Sequence, residues 1–272
     1  MLIDTHCHIN TMVKQQFDVP LSDEQIAAAR IIVQEAHDNQ VTTIINVGTS
    51  VVESKNCIEL AKKYPSIYAA IGVHPTDCTP EWMADIKELK ALVKNKTENR
   101  IVGIGETGLD RHHPGYNMQR QKDAFKAQIE LALEHDLALV VHTRQAPDET
   151  LQCLEEYAGH IQRGIIHCFS EDQSFADQVI GWGFALGIGG TITYPKNLYL
   201  RDIVCAVSLN NIVLETDAPF LPPQIMRGKQ NHPLYIRTIA EYIAHLRQES
   251  FETIAQATTK RAMNIFNIHE AL

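Results

Sequence analysis

The 272 residues contain no run of the 18 or so consecutive apolar residues that a membrane span requires. The opening MLIDTHCHIN has neither the basic segment nor the apolar stretch of a secretory leader. The six cysteines, at 7, 57, 78, 153, 168 and 205, form no C-x-x-C pair, which points to reduced thiols in a cytoplasmic protein. No low-complexity linker, short-period repeat or block of like charge divides the chain, so one domain is expected over 1–272. Basic residues are outnumbered: 24 Lys and Arg against 33 Asp and Glu leave a net charge of −9. An acidic chain is repelled by a polyanion unless cations are gathered at the contact, which argues against a long footprint on duplex nucleic acid without excluding nucleic acid itself.

Short β-branched or apolar runs are plentiful, each ending on a polar residue and followed by a segment of helical period. They cover 2–8, 42–48, 67–74, 101–106, 137–143, 164–169, 184–190 and 211–217. Eight alternating units predict an α/β fold whose parallel sheet closes into a (β/α)8 TIM barrel, which commonly takes about 250 residues. Ser22 and Gln25 stand in capping-box spacing ahead of the stripe Ile26, Ala29, Ile32, Val33 and Ala36. Phe125, Ile129, Ala132 and Leu133 form a second stripe, and Pro147, Asp148 and Glu149 suit the first turn of another helix. Two helical segments after the last strand are expected to pack on the barrel wall.

Histidine is the surplus, with thirteen. The C-terminal ends of barrel strands converge on one mouth, and those positions collect His6, His8, His74, Glu106, His142, His167 and Asp217. His6 and His8 form an H-x-H, and residues i and i+2 of a strand share a face, so both imidazoles can reach one ion. His142 and His167 each end a buried-looking run, and Asp217 follows NIVLET in the same way. Taken singly each suits a hydrogen-bonded core residue; gathered together, four histidines and two carboxylates suit two borderline divalent ions such as zinc, manganese or cobalt rather than calcium. Magnesium remains an alternative, and Glu106 is the natural bridge between the two ions.

Glu106 lies within IVGIGETGLD, where Gly103, Gly105 and Gly108 spell the G-x-G-x-x-G of a dinucleotide loop. A nucleotide-binding module of that kind needs a helix directly after Gly108 and a place near the chain start. Pro114 and Gly115 interrupt instead, and the unit falls mid-chain. The glycines are read as strand residues, with Gly108 freeing the turn beyond the strand.

With these residues in view, the chain resembles the TatD family of metal-dependent nucleases among the amidohydrolase-like barrels. The resemblance is carried by IDTHCHIN, AIGVHP, GIGETGLD, QKDAFKAQIELA, VVHTRQA, GIIHCFS, GTITYPKN, LETDAPFLPP, RGKQNHP and TTKRAMNIF, in order across nearly the whole chain. It implies a TIM-barrel metallohydrolase cleaving phosphodiester bonds of DNA, in several members as a 3′-to-5′ exonuclease on single strands. It further implies that His6, His8 and Asp217 hold one ion and His142 and His167 the other, bridged by Glu106. The chain departs from the family after GLD, where two aromatic residues are usual and Arg111, His112 and His113 stand here.

Two ions would activate a water and clamp the phosphoryl oxygens, with Asp217 within reach to accept the water's proton. Arg144, two residues after His142, is expected to contact phosphate; Arg227, Lys229 and Asn231 of RGKQNHP are further candidates. His74 either lines the same mouth or caps a turn at Pro75. Cys7 and Cys168 read as small fillers, and Tyr116 and Tyr194 as aromatics able to stack. The expected partner is DNA, single-stranded or at 3′ ends, with no membrane and a monomer or weak oligomer. The same dinuclear site would also serve D-aminoacyl-tRNA deacylation or ester and lactone hydrolysis, since a carbonyl oxygen can be polarised where a phosphoryl oxygen would be.

Overall fold

In the computed structural model, which describes residues 1–14 and 16–269, eight strands alternate with helices. They are β1 Leu2–Cys7, β2 Val41–Val47, β3 Ile67–Ile71, β4 Ile101–Asp110, β5 Ala138–Arg144, β6 Gly164–Ile166, β7 Phe184–Ile188 and β8 Ile212–Leu214. All neighbours pair in parallel in the order β1 to β8. The barrel closes from β8 back to β1 by few bonds: a Cys7–Ala218 bridge, the Thr5 hydroxyl on the Leu214 carbonyl (3.0 Å) and the Thr216 N–H on Asp4 Oδ1 (3.0 Å). This is the expected TIM barrel.

The expected helices form where their signals stand. Ser22 and Gln25 make a reciprocal capping box on the helix Asp23–Asp38. Pro147 starts the helix Pro147–Glu155, with Asp148 and Glu149 in its first turn. Phe125, Ile129 and Ala132 are buried on the helix Met118–Glu134. The last helix, Phe251–Phe266, does more than pack on the wall. Ile265 and Phe266 join one buried cluster with Ile45, Ala70, Val140, Ile165 and Val213, residues of five different strands that can meet only inside the barrel. Its C-terminal end therefore plugs the floor, beneath the mouth.

Strand ends differ from the expectation in a way that matters for the site. β6 and β8 stop at Ile166 and Leu214, so His167 and Asp217 stand just beyond the ladder. β4 instead runs on to Asp110, and Gly108 lies within it rather than in a turn. Gly105 and Gly108 have φ of +147° and +142°, and a Cβ at Gly108 would collide with the His142 carbonyl of the paired strand. The ladders also shift register between Asp4 and Cys7 in β1 and between Ile104 and Thr107 in β4. Ile3 and Gly103 face the interior, so strict alternation would turn His6 and Glu106 outward. The two irregularities re-aim them into the mouth.

Candidate metal centre

Glu106 is the hub of the mouth. Its Oε1 lies 2.8 Å from His142 Nδ1, 3.5 Å from His74 Nε2 and 3.8 Å from His167 Nε2; its Oε2 lies 3.4 Å from His6 Nε2 and 3.9 Å from His8 Nε2. Asp217 Oδ1 completes the ring at 3.3 Å from His8 Nε2, 3.8 Å from His167 Nε2 and 3.9 Å from His6 Nε2. His6 and His8 aim their Nε2 atoms at each other across 3.1 Å, and the His6 and His167 rings stack with centroids 3.4 Å apart. All six residues predicted to bind metal thus share one buried cluster.

The second ring nitrogens of His8, His142 and His167 also face polar groups, as those of metal-binding histidines do, whereas His6 Nδ1 is buried without a hydrogen-bond partner. His8 Nδ1 meets the Val47 carbonyl at 2.8 Å, His167 Nδ1 lies 2.9 Å from Glu215 Oε1, and His142 Nε2 lies 3.2 Å from Asp110 Oδ2. Asp110 is itself fixed by the N–H groups of His112 and His113 and by His113 Nδ1 at 2.9 Å. Glu215 and Asp110, both fully buried, were absent from the sequence-based set. Their signal was a carboxylate spaced two or four residues from Asp217 or Glu106 within a strand exit.

Charge in the cluster is strongly biased. Burial alone would raise the Glu106 carboxyl, but His74 and His167, with hydrogen bonds from His142 and His6, hold it well below the usual carboxylate range. Burial opposes ionisation of Asp217 too, and His8 and His167 outweigh it. Burial and the facing His167 push His6 down to about 4, leaving it a neutral imidazole. At His167 burial is outweighed by Glu215 and Glu106, which favour positive charge in the centre of the cluster. The same carboxylate charge that draws a proton onto His167 favours a divalent cation, which takes the proton's place because an imidazole ligates only in its neutral form. The groups His6, His8 and Glu106; His74, Glu106 and His142; and His6, His167 and Glu215 each bring their donor atoms within 4.8 Å, so the residues present can hold metal ions.

His74 is at the mouth, but its two nitrogens are differently employed. Nδ1 accepts the Thr76 N–H at 3.2 Å, capping the turn Pro75–Asp77. Because Nδ1 accepts a backbone N–H, the ring proton sits on Nε2 and faces Glu106, while burial and neighbouring His142 push the ring pKa down. Both sequence readings of His74, lining and capping, describe it.

Arg144 ends β5 with an exposed side chain and, among the described residues, pairs with no carboxylate. Arg227 and Lys229 are exposed, and the Arg227 guanidinium lies 4.9 Å over the Tyr194 ring. Asn231 differs from expectation. It is 1% exposed, its amide donates to the Thr216 and Phe220 carbonyls and its Oδ1 accepts the His232 N–H, so no group is free for a substrate. Cys7 is buried and Cys168 half-buried, both with thiols pushed well up by burial, consistent with filling space.

Residues 3–267 match the family model described as TatD related DNase. The chain belongs to the TatD family. Among TatD relatives, the Uncharacterized metal-dependent hydrolase YabD of Bacillus subtilis is 35% identical over 99% of this chain and 100% of its own length. The 3′-5′ ssDNA/RNA exonuclease TatD of Citrobacter rodentium is 31% identical over 87% of this chain and 91% of its own. The crystal structure of YJJV, a TatD homolog from Escherichia coli K12, superposes with a TM-score of 0.88 at 28% identity, covering 98% of each chain. The chain is thus a TatD-family metal-dependent hydrolase built on a TIM barrel. No helix among the described residues is long and apolar enough to cross a membrane.

Proposed function

We propose that this TatD-family chain is a deoxyribonuclease that hydrolyses phosphodiester bonds of single-stranded DNA from 3′ ends, using two divalent cations. His6, His8 and Asp217 would hold one cation, His142 and His167 the other, with Glu106 between them. The observation that carries the reading is the convergence of these imidazole nitrogens on the two oxygens of Glu106, one group on each. The name of the Citrobacter rodentium relative supports nucleic acid as substrate. Bound there, divalent cations supply Lewis acidity toward a phosphoryl oxygen and lower the pKa of water to near neutrality.

The chain's own residues do the remaining work. Asp217 is more open than Glu106, with 15% of its side chain exposed against 6%, and takes the proton of the attacking water. His74 holds Glu106 in place through its Nε2–H. Asp110 and Glu215 fix the ring orientations of His142 and His167. Arg144, exposed beside His142 and without a carboxylate partner among the described residues, neutralises phosphate charge.

Metal analysis and hydrolysis assays on wild type and Glu106→Ala test the reading, with single-stranded DNA, RNA, D-aminoacyl-tRNA and a lactone panel as substrates. Wild type is expected to retain metal and shorten DNA from its 3′ end, and Glu106→Ala to lose both properties. Turnover confined to the tRNA ester or a lactone would overturn it.

A further inference from the structure

We infer that Phe220 is the surface on which this protein stacks a nucleobase beside the metal centre, an inference that rests on the nuclease reading. The loop after β8 exposes Phe220 at 44%, Leu221 at 38% and Ile225 at 81%. A slack loop could fold these groups away from water, but this one is fastened at several points. Asn231 donates its amide to the Phe220 carbonyl (2.6 Å) and its N–H to the Pro219 carbonyl (3.0 Å). The Tyr194 hydroxyl donates to the Pro222 carbonyl (2.9 Å), and the Gln224 N–H donates to Thr193 Oγ1 (2.7 Å). Gly190 packs so close beneath that a Cβ there would come within 2.6 Å of the Leu221 carbonyl oxygen. Leu221 itself is held at φ +50°, which leucine rarely adopts. Structure that holds such a conformation and keeps apolar groups in water is characteristic of ligand-binding surfaces. A surface already ordered avoids that cost on binding.

Position selects the occupant. Phe220 follows Asp217 by three residues, and its ring centroid lies 6.0 Å from that of His8. A flat group on this ring therefore lies beside a phosphate placed among the metal-centre residues. Exposed Arg227, stacked on the Tyr194 ring whose hydroxyl ties down the same loop, adds positive charge. An aromatic face next to an anion-binding centre and a cation matches a nucleotide, base on the ring and phosphate at the centre. An acyl chain has no use for the cation. Every base has a π face, so recognition of this kind tolerates sequence.

The test compares manganese-loaded wild type, Phe220→Ala, Phe220→Leu and Phe220→Tyr on two single-stranded oligonucleotides. One is intact, and the other carries abasic residues at its last two 3′ positions. On the intact strand Phe220→Ala and Phe220→Leu are expected to raise KM roughly tenfold, the scale of one base–aromatic stack, with kcat and metal content at wild-type values. Phe220→Tyr is expected to restore KM. On the abasic strand all four proteins should have the same KM. Equal losses on both strands, an unaltered KM in Phe220→Ala, full function in Phe220→Leu, or loss of metal would each overturn the inference. Failure of wild type to cut either strand would instead overturn the nuclease reading, and the stacking role with it.

Discussion

At Glu53 a buried carboxylate collects Lys14 Nζ (2.7 Å), the Asp18 N–H (2.7 Å) and the amides of Asn10 (2.8 Å) and Asn56 (3.2 Å). This cluster pins the segment after β1, directly beyond His8, against the helix Val51–Lys63. Burial would raise the Glu53 carboxyl, but Lys14 and the amides hold it below its ordinary value. A depressed folded-state pKa contributes stability that is present above the unfolded value of 4.5 and lost as pH falls through the folded one. Glu53→Ala strands the Lys14 ammonium and should cost about 3 kcal/mol at pH 7, with the difference from wild type shrinking in urea titrations below pH 4.5. Asp110 offers a second residue-scale test. Freed of its carboxylate partner, His142 should bind metal less well, so Asp110→Ala is expected to lower affinity about 10- to 100-fold in chelator competition. His6, His8, Glu106, His142, His167 and Asp217 were legible because each closes an apolar run at a strand end. Asp110 and Glu215 were passed over, because each stands four or two residues from a carboxylate already assigned and acts only through another side chain, so its spacing alone does not distinguish it.

Among the elements, β4 and the last helix show where sequence periodicity stops being informative. Short apolar runs located all eight strands, since the strands of a parallel barrel are buried on both faces. The register shifts beside His6 and Glu106 have no such signature: one additional residue in a strand leaves composition unchanged while reversing which side chains face in. IVGIGETGLD thus matched a phosphate loop in letters and is a strand in fact, its glycines admitting the His142 carbonyl and the Val140 backbone at close range. The last helix was legible as amphipathic, but its floor-plugging end depends on where a helix stops relative to a barrel, which periodicity does not encode. Phe266 occupies the interior there, 2% exposed. Phe266→Ala should cost about 3–5 kcal/mol through the cavity it opens, read as a lower urea midpoint. Metal affinity should stay unchanged, because the plug and the mouth lie at opposite ends of the strands. A parallel loss of metal would mean that the floor and the mouth are one cooperative unit.

For the whole molecule, the balance of charge limits how the proposed nuclease would engage DNA. With a net charge of −9 the surface repels a polyanion at distance, so attraction must come from the mouth, where the exposed cations identified are Arg144, Arg227 and Lys229. Three phosphate contacts on a single strand release few counterions and give a slope of about −2 for log(1/KM) against log salt, at roughly −0.7 per contact. A protein that tracked a long backbone would show a far steeper dependence. Arg144→Ala removes one contact and should flatten the slope by about 0.7 while raising KM on every sequence alike, because phosphate contacts position without reading bases. Steady-state KM across a sodium chloride series in manganese buffer measures both quantities. A wild-type slope near −6 would require a basic tract away from the mouth, contrary to the distribution of charge in this chain. An unchanged slope in Arg144→Ala would remove that residue from the phosphate path and leave the positive charge to the loop after β8.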